Sequence, residues 1–217
     1  MDDKSFDKKS AMDWSNTIEA TSSGKREKDF YPRINSWMDQ FSLHKILDLG
    51  SGQGICATKI NLNNREYIGV EPSSFLVDRA KKLYPSFKSQ YIVGSAYELP
   101  FENEAFDGSF SIAVWHLLED LYKASSELSR VLKKEGRFLL ITANQQYEKE
   151  WTESYDEVET VGKKTLGLKM KEGSLELEDT LFLRTEKEIK DALENVGLQV
   201  TNSEPIRIWT LIEGMKK

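Results

Sequence analysis

The chain has 217 residues, of which 39% are hydrophobic and 30% are charged, and its formal net charge is −6. This length and composition fit one globular domain. The longest apolar runs are much shorter than the roughly 20 residues of a membrane-spanning helix. The charged start lacks the apolar stretch of a signal peptide. We therefore expect a cytoplasmic protein without a membrane span.

The acidic excess lies in one segment, since residues 145–194 contain 14 acidic and 8 basic residues and the rest of the chain is balanced. Faces that bind nucleic acid are usually basic, because Lys and Arg displace condensed counterions. We therefore expect no nucleic-acid partner. The single cysteine, Cys56, and the two histidines, His44 and His116, do not form a zinc-site pattern. No metal is expected.

The first 41 residues differ from the rest of the chain. Residues 1–28 are polar and charged, and we expect them to be mobile. Apolar residues recur at three- and four-residue spacing over residues 29–41, which predicts an amphipathic helix. We interpret residues 1–41 as a mobile segment with a cap helix, and residues 42–217 as the main domain.

From residue 45 onward, short β-rich runs alternate with helical patterns, which indicates a parallel sheet with crossover helices. The predicted strands are Lys45–Leu49, Tyr67–Glu71, Tyr91–Gly94, Ser109–Val114 and Arg137–Thr142. The predicted helices between them are Ile55–Asn61, Ser74–Tyr84 and Leu121–Lys133.

The pattern changes after Thr142. Alternating residues in Thr165–Met170 and Ser174–Leu183 predict an antiparallel hairpin, so residues 145–184 form a cap or hairpin insertion. A capping box at Thr185–Glu188 opens a helix that Gly197 ends. Two last strands are predicted near Leu198–Thr201 and Arg207–Ile212.

A glycine-rich turn follows the first strand, where Gly50, Gly52 and Gly54 allow a sharp turn and a close approach of the backbone to a ligand. Glu71 ends the next strand, where nucleotide-binding sheets place a carboxylate for ribose hydroxyls. Taken alone, such a turn also occurs where a strand and a helix pack closely, and Glu71 could be a solvated charge. Together the two features indicate an adenosine-containing ligand.

The turn also favours one cofactor. It lacks the third glycine that a dinucleotide fingerprint uses for close helix–strand packing, since Ile55 and Ala57 follow Gly54. Asp48, at the end of the strand, would repel a pyrophosphate but can hold an amino group. S-adenosylmethionine fits both observations, because it has no phosphate, a cationic sulfonium and a methionyl ammonium.

With these residues the chain resembles the class I S-adenosylmethionine-dependent methyltransferases, in particular those typified by ubiquinone and menaquinone biosynthesis enzymes. The matching blocks are Ile46–Gly54, Gly69–Ser73, Gly94–Phe101, Phe106–Asp120 and Leu132–Arg137. The resemblance implies an α/β fold, with a doubly wound, mostly parallel seven-stranded sheet whose last strand is antiparallel. It also implies S-adenosyl-L-methionine as cofactor and S-adenosyl-L-homocysteine as product. We expect a monomer or homodimer.

The resemblance further implies roles for individual residues. Asp48, Gly50 and Gly52 would contact the methionyl group and Glu71 the ribose. Further expected contacts are Pro72, Ser95 and Ala96 around adenine, Ile112 and Ala113 near the sulfonium, and Ser51, Gly54, Ser73 and Tyr97 beside them. Ser95 departs from the family, which commonly has Asp there to bind the adenine amino group.

The acceptor side carries weaker signals. His116 follows the fourth strand and is a candidate general base, although a structural histidine at a loop–helix junction is an equal alternative. The aromatic residues predicted to form a lid or contact the acceptor are Phe30, Tyr31, Trp115, Trp151 and Tyr155. The leading hypothesis is methyl transfer to a small molecule. A nicotinamide-dependent oxidoreductase and a non-catalytic S-adenosylmethionine sensor or scaffold are the alternatives.

Overall fold

The structure, a computed structural model, describes Met12 and residues 25–85, 90–153, 157–162, 165–172 and 175–217. The helices are α1 (Lys25–Asp29), α2 (Tyr31–Gln40), α3 (Ser74–Leu83), α4 (Leu121–Val131), α5 (Glu148–Thr152) and α6 (Glu186–Glu194). The strands are β1 (Lys45–Leu49), β2 (Glu66–Glu71), β3 (Tyr91–Val93), β4 (Phe106–Ile112), β5 (Leu132–Thr142), β6 (Glu157–Gly162), β7 (Thr165–Glu172), β8 (Leu175–Phe182), β9 (Leu198–Ile206) and β10 (Trp209–Lys216). No helix in these ranges is long and apolar enough to span a bilayer.

Seven strands form the main sheet in the order β3-β2-β1-β4-β5-β10-β9. The pairs from β3 to β5 are parallel, and β10 is antiparallel to both of its neighbours. The chain leaves β1 toward one edge and returns at β4 toward the other, so the sheet is doubly wound as predicted. Ligands of such sheets bind outside the carboxyl ends of the strands at this reversal.

Both faces of the sheet are covered by helices. Side chains alternate along a strand, so Leu47 and Leu49 pack on one face with α4 and α6, whereas Ile46 packs on the other with α2 and α3. On the second face Ile34 and Met38 of α2 have no exposed surface. Burying each such side chain stabilises the fold by about 1.5–3 kcal/mol. Helix α2 is therefore part of the core.

Several element boundaries differ from the prediction. The helix predicted over residues 29–41 is α2, Tyr31–Gln40, and α1 forms just before it in residues that were predicted to be mobile. The helix predicted at Ile55–Asn61 is a short 3₁₀ turn, Ile55–Thr58. Strand β4 ends at Ile112 because Ala113 takes a left-handed conformation with φ 61°. Strand β5 begins five residues earlier than predicted, at Leu132.

The segment between β5 and α6 forms a separate three-stranded antiparallel sheet, β6-β7-β8. The predicted hairpin is confirmed as β7–β8, and β6 is an additional strand. The predicted capping box at Thr185 and Glu188 is confirmed. Leu181 and Leu183 at the end of this sheet pack against Leu117 in the loop after β4. The insertion is thereby anchored beside the carboxyl ends of the central strands.

Candidate active site

The glycine turn after β1 is held against β2 by the backbone. The N–H groups of Gly50 and Ser51 both donate to the carbonyl oxygen of Val70, at 2.8 and 2.9 Å. Gly50 has φ +81°, and a Cβ at this position would lie 2.3 Å from Cγ2 of Val114. A side chain is thus excluded by backbone conformation and by space. The turn brings the end of β1 against the loop that follows β4.

Asp48 lies in β1 directly below this turn and is buried. The Tyr67 hydroxyl donates to Asp48 Oδ2 at 2.5 Å. Burial raises the pKa of Asp48 to about 7, the nearby charge of Glu71 adds to the rise, and the Tyr67 hydrogen bond and the charge of Arg26 oppose it. An acid under these conditions gains from a cationic ligand, because the ligand restores the stabilisation that burial removed.

Glu71 ends β2, and its carboxylate faces the glycine turn. Oε2 accepts from the Gly52 N–H at 3.1 Å, and Oε1 accepts from the Ser73 N–H at 3.0 Å. These bonds fix the carboxylate in one orientation at the carboxyl edge of the sheet. A carboxylate oxygen can accept more than one hydrogen bond, so this orientation is compatible with binding of vicinal hydroxyls.

The turn is also braced from α3. Gln53 is buried, and its Oε1 accepts from Nε of Arg79 at 2.6 Å. This hydrogen bond links the glycine turn to Arg79 in α3. The Tyr91 hydroxyl donates to the carbonyl of Gly54 at 3.2 Å. The cradle is therefore fixed by contacts from β1, β2, β3 and α3.

A cavity of about 40 Å³ lies above Asp48. Its walls are formed by Arg26, Tyr31, Asp48, Gly50, Ser51, Gln53, Ile55, Cys56 and Ile112. It joins four of the predicted cofactor residues, Asp48, Gly50, Ser51 and Ile112, to one predicted lid residue, Tyr31. The cavity lies at the reversal point between β1 and β4, where the topology places a ligand.

The other predicted cofactor residues lie at the same edge of the sheet. Pro72 and Ser73 directly follow β2, and Ser73 caps α3 by accepting from the Leu76 N–H. Ser95 starts a turn after β3, where its hydroxyl oxygen accepts from the Tyr97 N–H at 3.2 Å. Ala96, between them, is buried. Their roles around adenine stay predictions.

Ala113 and His116 lie in the loop after β4. Ala113 keeps its left-handed backbone while its N–H donates to the Ile141 carbonyl at 2.8 Å. A strained non-glycine residue at a strand end is a feature of functional sites. Val114, the next residue, fills the space beside Gly50. The loop and the glycine turn thus define each other's position.

His116 is buried, and burial lowers its pKa to about 3, with the charge of Arg26 adding to the effect. Its Nδ1 accepts from the Ala143 N–H at 3.3 Å and lies 3.2 Å from the Thr142 hydroxyl. Since an N–H can only donate, the neutral ring carries its proton on Nε2. In this arrangement His116 is a hydrogen-bond donor, and its role as general base stays a prediction.

The predicted aromatic lid residues have different surroundings. Phe30 and Tyr31 are buried at the junction of α1 and α2, and Phe30 meets Trp209 edge-on at a centroid distance of 5.9 Å. Trp115 is buried in the core beneath α4, and its Nε1–H has no partner among the described residues. Trp151 belongs to α5, whereas Tyr155 lies outside the described residues. Their acceptor contacts stay predictions.

Five residues of the site were not predicted from the sequence: Arg26, Gln53, Ile55 and Cys56 in the cavity wall, and Tyr67 beneath Asp48. Tyr67 pairs with Ile46 in the β1–β2 register, and Gly69, which lacks a side chain, pairs with Asp48. The phenol can therefore reach diagonally to the carboxylate. A tyrosine two residues before a glycine in the second strand was the available signal. Arg26 lies in a polar segment whose pattern gave no signal.

The comparisons with known proteins agree with this geometry. A family model described as "Methyltransferase domain" matches residues 47–140. An uncharacterized methyltransferase, YcgJ, of Bacillus subtilis is 34% identical over 101 residues, which are 45% of this chain and 40% of that protein. The sterol 24-C-methyltransferase of Candida albicans is 30% identical over 165 residues, 72% of this chain and 40% of that protein. The chain therefore spans less than half the length of these two relatives.

The crystal structure of the PH0226 protein of Pyrococcus horikoshii has a TM-score of 0.73 with this chain at 21% identity, over 94% of this chain and 91% of that one. This similarity confirms the fold. Residues 47–140 match a methyltransferase domain, and the resemblance to the class I S-adenosylmethionine-dependent methyltransferases is confirmed. S-adenosylmethionine is the cofactor of this domain.

The residues of this methyltransferase domain fit that cofactor. The glycine turn borders the cavity, and the Ser51 hydroxyl in that turn is buried without a partner among the described residues. Asp48 and Glu71 suit a cationic, phosphate-free ligand. After the turn comes a four-residue 3₁₀ turn, in place of the long helix whose N-terminus binds the pyrophosphate of a dinucleotide. This disfavours a nicotinamide cofactor.

Proposed function

We propose that this chain transfers a methyl group from S-adenosylmethionine to a small-molecule acceptor. The observation that carries the proposal is the cavity that Asp48, Gly50, Ser51 and Ile112 border at the reversal point of the sheet. The cofactor supplies an activated methyl group on a sulfonium, so the protein contributes mainly orientation and exclusion of water.

In this proposal the cradle orients the cofactor through two carboxylates. Asp48 holds the methionyl ammonium, and the Tyr67 hydroxyl keeps the carboxylate in place through its 2.5 Å bond. Glu71, already fixed by the Gly52 and Ser73 N–H groups, accepts from the ribose hydroxyls. Ser95 and Ala96 border the adenine, where the shorter, uncharged Ser95 replaces the acid that is common in the family.

The acceptor side is proposed to be covered and dry, which favours a small organic acceptor over a macromolecule. Leu181 and Leu183 of the inserted sheet pack beside the loop after β4. Arg184 locks this contact, since Nη2 donates to the Glu119 carbonyl at 2.6 Å and its own carbonyl accepts from the Gln145 N–H at 2.8 Å. The sterol substrate in the name of the Candida albicans relative supports this class of acceptor.

His116 supports a polarising role in this proposal. With Nδ1 engaged by the Ala143 N–H and the ring neutral, the ring proton of His116 is on Nε2. A neutral histidine with its proton on Nε2 is a hydrogen-bond donor and does not remove a proton from the acceptor. The cytoplasmic location and the monomeric or homodimeric state stay predictions of the sequence.

The test combines calorimetry with a labelled-methyl assay. We expect S-adenosylmethionine and S-adenosylhomocysteine to bind the folded protein and a nicotinamide dinucleotide not to bind. With methyl-labelled cofactor and a metabolite extract, label should enter the small-molecule fraction. A folded sample that binds neither sulfur ligand contradicts the function, and label found in protein or nucleic acid contradicts the acceptor class. Binding without any labelled product would favour the sensor or scaffold alternative.

A further inference from the structure

Arg26 of helix α1 lies in the wall of the cavity, together with Gly50 and Ser51 of the glycine turn. The side chain is partly buried, and Tyr31, Cys56 and Asp48 are the groups whose charges act on it. Its guanidinium forms no hydrogen bond or ion pair within the described part of the chain. A guanidinium has five N–H donors, and a partly buried one without an acceptor is costly. The feature requires an explanation.

Helix α1 is held beside the cavity by ion pairs of two of its residues, Glu27 and Asp29. Glu27 pairs with Lys59, just beyond the glycine turn, at 2.6 Å. Asp29 pairs with Arg207 in the turn between β9 and β10, and Arg33 in α2 pairs with Glu204 nearby. Each exposed pair is weak on its own, but together they fix where α1 lies. The position of Arg26 is therefore a built feature of the fold.

The cavity wall thus carries an acid and a guanidinium, Asp48 and Arg26. An α-amino acid group carries the complementary charges, an ammonium and a carboxylate on the same carbon. Asp48 suits the ammonium, and the planar fork of Arg26 suits the carboxylate, which it can bind through two parallel hydrogen bonds. We propose that Arg26 binds the carboxylate of the methionyl group of the cofactor and that α1 is the lid that carries it. This inference rests on the proposed function.

The size of the cavity agrees with a lid. Its volume of about 40 Å³ is far below the roughly 300–1,000 Å³ of pockets for ligands of this size. The cavity is too small to hold the whole cofactor, and α1 is the five-residue helix in its wall that the exposed ion pairs attach to the rest of the domain. When α1 closes, Arg26 meets the carboxylate and excludes water from the methionyl end.

The experiment is a cycle of two proteins and two ligands, measured by calorimetry. Wild type and Arg26→Gln are titrated with S-adenosylmethionine and with decarboxylated S-adenosylmethionine, which lacks only the carboxylate. We expect Arg26→Gln to weaken S-adenosylmethionine binding by about 10- to 100-fold, as loss of a charge-assisted pair predicts. Binding of the decarboxylated ligand should change by less than about threefold. The cycle should therefore show an interaction energy between Arg26 and the carboxylate of the ligand.

Two further variants sharpen the result. Arg26→Lys keeps the charge but loses the fork, so it should retain part of the affinity for S-adenosylmethionine. Lys28→Gln removes a cation from an exposed position of the same helix and should leave both affinities unchanged. Should Arg26→Gln fail to fold, as judged by circular dichroism, the wild-type comparison of the two ligands and the Arg26→Lys titration still test the inference.

The possible outcomes distinguish the role of Arg26 from the proposed function. Equal binding of both ligands to wild type overturns the role of Arg26 and leaves the proposed function standing. Equal weakening of both ligands by Arg26→Gln also overturns it, because a merely structural role of α1 would affect them alike. Failure of wild type to bind either ligand overturns the proposed function itself.

Discussion

Asp48 and His116 lie at the same edge of the sheet, one in β1 and the other just after the neighbouring β4, yet burial moves their pKa values in opposite directions. The pKa of Asp48 rises to about 7, and that of His116 falls to about 3. Both shifts favour the neutral form, as expected where water is excluded. The common cause shows that the two halves of the site share one dry environment.

The partners of the two groups differ, however. Asp48 accepts from a phenol and lies near the cation Arg26, so a cationic ligand can restore its charge. His116 has Nδ1 engaged by the Ala143 N–H, and Arg26 opposes its protonation. The β1 side is therefore prepared to hold a positive charge, and the β4 side is prepared to remain neutral. Substitutions can test this contrast, starting from the residue where the two sides touch.

The largest effect is expected for Gly50→Ala. The new Cβ would lie 2.3 Å from Val114 at φ +81°, so the turn and the loop after β4 must separate. Left-handed backbone costs about 1–2 kcal/mol and overpacking about 1–3 kcal/mol. We expect a loss of about 2–5 kcal/mol in urea unfolding. Calorimetry should show binding of S-adenosylhomocysteine weakened by roughly tenfold or more, since tenfold corresponds to about 1.4 kcal/mol.

Gly197→Ala is the matched control, because Gly197 has φ +82° and no neighbouring atom within 4 Å of an added Cβ. It should lose only the backbone contribution of about 1–2 kcal/mol and bind S-adenosylhomocysteine normally. Equal losses of stability and affinity in the two variants would show that the contact between Gly50 and Val114 does not matter.

Asp48→Asn should separate binding from stability. Because the folded pKa of Asp48 is near 7 and its ordinary value is 3.8, the folded state holds the extra proton between these values. The contribution of Asp48 to the free energy of unfolding of wild type is therefore present at low pH and is lost as pH rises toward 7. At about pH 8 the ligand-free variant should be about 1–3 kcal/mol more stable than wild type.

The same variant should bind S-adenosylmethionine about 100-fold more weakly, since the ammonium loses its charged partner. Wild-type affinity should itself fall as pH drops below about 7, because Asp48 becomes protonated. Calorimetry across this range and urea unfolding at both ends measure these effects. If Asp48→Asn is less stable than wild type at pH 8, the ionised Asp48 carboxylate does not destabilise the ligand-free protein and the interpretation is wrong.

His116→Gln should change stability with the opposite pH dependence. The pKa of His116 is lowered from 6.5 to about 3, so its contribution is present above pH 6.5 and is lost as pH falls toward 3. Between pH 7 and 5 this single group should cost wild type about 1–2 kcal/mol. In urea unfolding, His116→Gln should not lose this free energy between pH 7 and pH 5. Its free energy of unfolding should instead rise over this range, because Asp48 contributes more stability at lower pH.

The variant also tests the base hypothesis. Gln can accept from the Ala143 N–H and donate from its amide, so cofactor binding and its dependence on pH near 7 should remain. If His116 is a base, methyl transfer should instead fall by about 100-fold or more, while binding is unchanged.

The smallest effect is expected at Ala113, whose φ of 61° places it in the left-handed region. Ala113→Val should cost about 1–2 kcal/mol, because a β-branched side chain is poorly tolerated there. Ala113→Gly should stay within about 0.5 kcal/mol of wild type, since relief of strain and added chain entropy nearly cancel. Thermal unfolding of the pair distinguishes backbone strain from side-chain packing.

The elements that could be predicted are those whose signal is local. The glycine turn, the capping box at Thr185 and the alternation of strands and helices depend on residues within a few positions of each other. They sufficed for the fold and the cofactor. The helix predicted at Ile55–Asn61 was too long, because the turn geometry around Gly54, with φ 82°, leads into a 3₁₀ turn.

What only the tertiary structure decided are contacts between residues distant in sequence. The Tyr67 bond to Asp48 depends on the β1–β2 register, and the left-handed Ala113 on the docking of its N–H to β5. Arg26 reaches the cavity because ion pairs place α1 beside it. The residue pattern of the chain determined a sheet with a glycine cradle for S-adenosylmethionine. The protonation states of Asp48 and His116 and the position of Arg26 in the cavity wall were decided by the tertiary structure, because burial and the proximity of charges exist only in the packed molecule.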